Sequence, residues 1–147
     1  MGNICRSPLA EAVFKHIVRE NRAEDRYEAD SSGTIGYHAG ERADPRMRQV
    51  ASNHGVKIDH RAQKLTRKHI ADFDLILCMD QENLKDARAL AGTSAEKERI
   101  VLFREYDPEG RGSVPDPYYG GIDGFETVFD MAMRCGRSLF EELERSS

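Results

Sequence analysis

Little in this sequence points outside a reducing, aqueous compartment. There are three cysteines, Cys5, Cys78 and Cys135, odd in number and far apart. That spacing fits neither a disulfide framework nor a zinc site, and it agrees with a reducing compartment. No apolar run approaches the roughly 18 residues a membrane helix needs. The opening residues MGNICRSPLA lack the apolar core of a secretory signal, so a cytoplasmic location is the default expectation. Positive charge is not in excess: the net charge is −4, which leaves no electrostatic footprint for nucleic acid or an anionic membrane. Repeats and low-complexity linkers are absent. Met1-Gly2 begins like a myristoylation signal, but Arg6 stands where that signal wants Ser or Thr. The five histidines show no metal-ligand spacing, and His16, His54 and His69 read as surface or cap residues.

What is present is a charge-rich globular composition, 33% charged and 39% hydrophobic over 147 residues. That length argues for one domain, residues 1–147. Residues 8–21 read as an amphipathic helix: Ser7 caps it, Pro8 suits its first position, and Ala10, Val13, Phe14, Ile17 and Val18 form one apolar face. Tyr27–Ser31 is a weak strand candidate. Asp44-Pro45 opens a helix that stops near His54-Gly55, where glycine supplies a left-handed cap. Thr66 caps a short helical turn ending before Phe73. Leu75–Cys78 is a continuous apolar run, as in a strand covered on both faces. Asp80 caps a helix through about Leu90, and Ile100–Phe103 is a second buried-strand candidate. Residues 107–124 hold most of the Gly and Pro and read as a long loop. A last helix spans roughly Phe125–Glu144. Helices alternating with short apolar strands indicate an α/β sandwich with a parallel sheet.

The chemistry concentrates at Gly2-Asn3-Ile4-Cys5-Arg6-Ser7-Pro8. A short glycine-containing loop runs straight into a helix, so its amides and the helix amino terminus converge on one point that suits an anion. Arg6 adds a planar fork matching phosphate oxygens two at a time. Taken alone, the same residues also describe an ordinary capped helix with a solvated arginine.

The segment resembles the signature of the low-molecular-weight protein tyrosine phosphatases, Cys-x-Gly-Asn-x-Cys-Arg-Ser-Pro. Further motifs follow in that family's order: Asp30-Ser31-Ser32-Gly33-Thr34, Tyr37, Asp44-Pro45-Arg46, His54-Gly55, Asp59-His60-Arg61-Ala62, Phe73-Asp74-Leu75-Ile76-Leu77-Cys78-Met79-Asp80, Asp116-Pro117-Tyr118-Tyr119-Gly120 and Phe125-Glu126-Thr127-Val128. The resemblance covers nearly the whole chain. It implies a three-layer α/β sandwich whose central parallel sheet has four strands in the family. It also implies hydrolysis of phosphotyrosine in proteins, or of an aryl phosphate, with no metal and no cofactor.

Carried over residue by residue, the amides of Gly2, Asn3, Ile4, Cys5, Arg6 and Ser7 would cradle phosphate. Arg6 would clamp it and stabilise the transition state. Ser7 would hydrogen-bond the attacking thiolate. Asn3, Ser31 and His60 would brace the loop. Asp116 would protonate the leaving phenolate, where a plain Asp-Pro turn is the alternative. Tyr37, Tyr118 and Tyr119 would line the slot for the phenyl ring, surface loop tyrosines being the rival reading, and in the family the tandem tyrosines can themselves be phosphorylated.

The resemblance also implies an absence. Met1 falls at the x after the signature's first cysteine, the nucleophile that forms phosphocysteine. Cys5 is adjacent to Arg6 and points elsewhere than an in-line sulfur must, and Cys78 and Cys135 follow packing patterns. The family's first strand is missing as well. A central strand buries several aliphatic side chains at about 1.5–3 kcal/mol each, against a typical domain stability of about 5–15 kcal/mol. The expectation is that the 147 residues fold poorly and are inactive, and that the protein begins at an upstream start codon. The other readings are a catalytically dead phosphate- or phosphotyrosine-binding relative, an arsenate reductase-like enzyme, and a nonfunctional fragment. The arsenate reductases need a cysteine relay, and Cys78 has no partner a few residues onward.

Overall fold

The structure, a computed structural model, describes residues 6–32, 44–59, 63–115 and 122–146. Helix α1 spans Arg6–Glu20 and turns its apolar face inward, with Leu9, Val13, Ile17 and Val18 all buried. The long carboxyl-terminal helix, α6, spans Ile122–Ser146 and buries Phe125, Val128, Phe129, Ala132, Cys135 and Leu139 against it. The two helices meet at Gly136. A methyl group there would lie 3.0 Å from Ile17 Cδ1 and 3.2 Å from Val13 Cγ1, so the missing side chain is what lets the helices approach this closely.

Between them in sequence, Asp44 caps α2 (Pro45–Asn53) through its carboxylate, which accepts from the Arg46 amide at 2.8 Å. Gly55 ends that helix at φ +78°, in the left-handed region that glycine tolerates. Thr66 caps α3 (Arg67–Asp72). Strand β1 is Ile76–Cys78, and Asp80 caps α4 (Gln81–Leu90) by accepting from the Asn83 amide at 2.8 Å. Helix α5 (Ser94–Glu98) comes next, then β2 (Ile100–Leu102) and a 3₁₀ turn over Phe103–Tyr106. Helix α5 is absent from the sequence expectation, although the capping-box spacing Thr93-x-x-Glu96 marks its start.

Strands β1 and β2 pair in parallel, with Ile76 opposite Ile100, Leu77 opposite Val101 and Cys78 opposite Leu102. Side chains alternate across the sheet. Leu75 and Leu77 lean on the main core with Met79, while Ile76 and Cys78 join a smaller cluster of Leu65, Ile70, Ala87, Ile100 and Leu102. Helices thus cover both faces, which is the expected α/β sandwich.

Two details depart from expectation. Residues 27–32 form no strand. The Ser31 amide turns back to Asp30 Oδ1 at 2.9 Å, and the Ser31 carbonyl accepts from the Gln63 side chain at 2.7 Å. At Ser31 both backbone groups are thus taken by side chains and not by a ladder. Strand β1, expected to be fully covered, is only half-buried at Ile76 and Leu77, because among the described residues one edge alone has a partner strand.

Candidate active site

Helix α1 begins at Arg6, and no acidic residue stands in its first turn. The first amides of a helix have no intrahelical acceptor and carry the positive end of its dipole. Pro8 and Leu9 are fully buried, so this helix end is fixed in the core. The result is a fixed donor cluster whose own first turn holds no acid.

Beside it lies Ser31, predicted as a loop support. Its hydroxyl donates to Glu11 Oε1 at 2.7 Å, and Lys15 Nζ holds the other oxygen of that carboxylate at 2.7 Å. Gln63 Nε2 donates to Asp30 Oδ2 at 3.0 Å as well as to the Ser31 carbonyl. Ser31 is therefore strapped to α1 from one side and to residue 63 from the other. Glu11 and Gln63 escaped the sequence reading. The available signal was an acid on the otherwise apolar α1 face, between Ala10 and Val13, where burial demands a partner.

The third element is the loop after the 3₁₀ turn. Asp107, its side chain fully buried, accepts from Arg104 Nε at 3.0 Å, from Arg134 Nε and Nη2 at 3.2 Å each, and from the Glu109 amide at 2.9 Å. Burial by itself would raise this carboxyl's pKa. The hydrogen bonds from Arg134, Glu109 and Arg104, with the charge of Arg134, outweigh it and hold the pKa below its ordinary value. Arg104 Nη1 also donates to the Ser113 carbonyl at 3.2 Å. The Val114 amide then donates to the Met79 carbonyl at 2.6 Å. That bond moors the chain just before Asp116 to the carboxyl end of β1. Ala10 and Glu11 of α1 share a groove with Cys78, Met79 and Asn83.

Of the residues expected to act, Arg6 and Ser7 open α1 and Ser31 lies beside it. Gly2, Asn3, Ile4, Cys5, Tyr37, His60, Asp116, Tyr118 and Tyr119 lie outside the described residues. Cys78 and Cys135 are both buried, and burial pushes each thiol up to about 12. At neutral pH neither is a thiolate, so neither serves as nucleophile.

The family model of the low molecular weight phosphotyrosine protein phosphatases matches residues 1–147. The chain belongs to that family. Among its relatives is the low molecular weight protein-tyrosine-phosphatase of Streptomyces coelicolor, 45% identical over 141 residues that cover 94% of this chain and 86% of that one. Another is the low molecular weight phosphotyrosine protein phosphatase of Pongo abelii, 40% identical over 97% of this chain and 90% of that one. In three dimensions the chain is similar to a protein tyrosine phosphatase of Entamoeba histolytica crystallised with Hepes in the active site. That comparison has a TM-score of 0.96 at 35% identity, covering 99% of this chain and 94% of that one. The activity that the family and these relatives support is that of a protein tyrosine phosphatase, a hydrolase. No described helix is long and apolar enough to cross a membrane.

Proposed function

We propose that the site receives the phosphoryl group of a protein phosphotyrosine at the amino end of α1. The amides of Gly2–Ser7 and the Arg6 guanidinium hold its oxygens, and Asp116 is the general acid for the leaving phenolate. The scheme needs no metal: the donors meet the charge that a metal would otherwise meet, and the intermediate is a phosphocysteine. The observation that supports it most is the start of α1 at Arg6 with no acid in its first turn. The Entamoeba relative holds Hepes, whose sulfonate is a tetrahedral anionic group, in its active site. The cytoplasm, with its phosphoproteins, is the compartment where this activity would operate.

The 147 residues alone bind the anion without turning it over. Cys78 and Cys135 are buried thiols, and Cys5 adjoins Arg6 where an in-line attack is out of reach. The test has two arms. Phosphate and phosphotyrosine binding are followed by NMR for the wild type and for Arg6→Ala, and hydrolysis of p-nitrophenyl phosphate is measured for the same chain with and without an aliphatic strand ending in Cys joined directly to Met1. Binding that Arg6→Ala abolishes, with turnover only in the extended form and lost on changing its cysteine to serine, is the expected result. Turnover by the 147-residue chain sinks the nucleophile argument, and anion binding that ignores Arg6 sinks the cradle.

A further inference from the structure

Residues 116–121, which include Asp116, are joined to the described chain at two ends. On the amino side, the Val114 amide donates to the Met79 carbonyl at 2.6 Å. On the carboxyl side, the chain enters α6 at Ile122. That second junction is weak on local grounds. Gly120 and Gly121 precede the helix and Gly124 stands in its first turn, and glycine is among the poorest helix formers. The amides of a first turn also have no intrahelical acceptor. A contact from elsewhere in the fold must therefore keep this turn helical.

Arg46, in the first turn of α2, supplies one. Its guanidinium carbon stands 4.6 Å from the centre of the Phe125 ring, and Phe125 is fully buried. The guanidinium is itself aimed. Its Nε donates to Asp44 Oδ1 at 3.2 Å and its Nη2 to Asp44 Oδ2 at 3.1 Å. A planar fork held at two points keeps its face on the ring. Helix α2 is in turn seated on α6: Met47, Val50 and Ala51 share the core with Phe125 and Val128. At its other end His54 stacks on Phe129 at 4.3 Å and meets Glu126 at 2.8 Å. The Arg46 side chain stays 42% exposed, so truncating it uncovers the ring without emptying the core.

We infer that Arg46 is a positioning residue for the phosphatase reaction: acting through Phe125, it holds the first turn of α6 and keeps the tether that carries Asp116 short. The role rests on Asp116 being the general acid proposed above. Without Arg46 the turn unwinds, and the span between held points grows from residues 116–121 to residues 116–125. A longer loop has more conformations to visit. The acid then spends less of its time within hydrogen-bond reach of the leaving oxygen. Asp44 contributes only by orienting the guanidinium, and the Arg6 cradle is untouched.

The test compares two substrates in the extended, cysteine-bearing form. In Arg46→Ala, kcat/KM for phenyl phosphate should fall about fivefold and that for p-nitrophenyl phosphate by less than about twofold, because nitrophenolate leaves with little help from an acid. Arg46→Lys keeps a cation for the ring but loses the fork, and should recover part of the loss. Phe125→Leu keeps the burial but removes the ring. It should show the same selective loss, and combining it with Arg46→Ala should cost little more than either alone. Amide exchange at residues 122–126 should quicken in Arg46→Ala while the rest of α6 is unchanged. Equal losses on both substrates, no loss, a selective loss without faster exchange at the start of α6, or additive losses in the double variant overturns the inference. The unsubstituted enzyme is the separate check: p-nitrophenyl phosphate hydrolysis by it with equal losses in Arg46→Ala sinks the clamp alone, and no hydrolysis by it sinks the phosphatase reading and the clamp together.

Discussion

Arg104 reaches across nine residues of chain to donate to the Ser113 carbonyl at 3.2 Å, and so closes the loop that delivers Pro115 to the strand end. The loop is wound round this guanidinium. Gly110 and Gly112, beside the Arg104 nitrogens, take φ +146° and +138°, backbone that a residue with a side chain rarely adopts.

Arg104→Ala should unfasten that loop without dismantling the core. Asp107 keeps its bonds to Arg134, so the loss should be about 1–3 kcal/mol. Amide exchange at Val114 should quicken more than exchange within α6. In the extended, cysteine-bearing form, hydrolysis of phenyl phosphate should fall further than hydrolysis of p-nitrophenyl phosphate, because the more basic leaving group depends more on a well-placed acid. Equal losses on both substrates would detach Arg104 from the placement of Asp116.

Asp107 supplies a pH dependence with a definite sign. Its folded-state pKa lies below the ordinary 3.8, so the stability it contributes is complete above that ordinary value. It is lost as pH falls through the folded value. Denaturant melts of wild type and Asp107→Ala should therefore differ most near neutrality and converge below about pH 4. At pH 7 the gap should be about 1–3 kcal/mol, since Arg104 and Arg134 keep access to solvent and Arg134 keeps Glu109. A gap that widens on acidification would reverse the assignment.

Glu11 joins α1 to Ser31. Replacing it with Ala removes the acceptor from the Ser31 hydroxyl and from Lys15, at a cost of about 1–3 kcal/mol. Glu11→Gln keeps one acceptor oxygen and should recover part of that loss. Thermal melts of both variants, with the NMR shifts of residues 29–32, read the effect. Unchanged shifts in Glu11→Ala would mean that Ser31 is held by Gln63 alone.

The two buried thiols should share one reactivity. With pKa values pushed up to about 12 by burial, Cys78 and Cys135 should resist iodoacetamide at pH 7 in the folded chain and react fully in guanidinium. Mass spectrometry of tryptic peptides decides it. Rapid native labelling of Cys135 would contradict the packing of α6 against α1.

Much of the scaffold was legible because its signals are local. Asp44-Pro45, Thr66 and Asp80 each cap the helix expected of them, since a side-chain acceptor two or three residues before a free amide works in isolation. The ends were less exact: α6 begins three residues ahead of Phe125, because burial of its apolar face extends the helix into a stretch rich in glycine. Helix α1 begins at Arg6, two residues ahead of the start expected at residue 8, so Ser7 lies inside the helix and not at its cap.

Order along the chain, apolar periodicity and the caps settled which segments become helices, since each depends on neighbours within a few residues. Residues far apart in sequence decided the rest. Glu11 found Ser31, Arg104 and Arg134 shared Asp107, and Val114 was tied to Met79, because a buried polar group takes whichever partner the packing brings within hydrogen-bond reach.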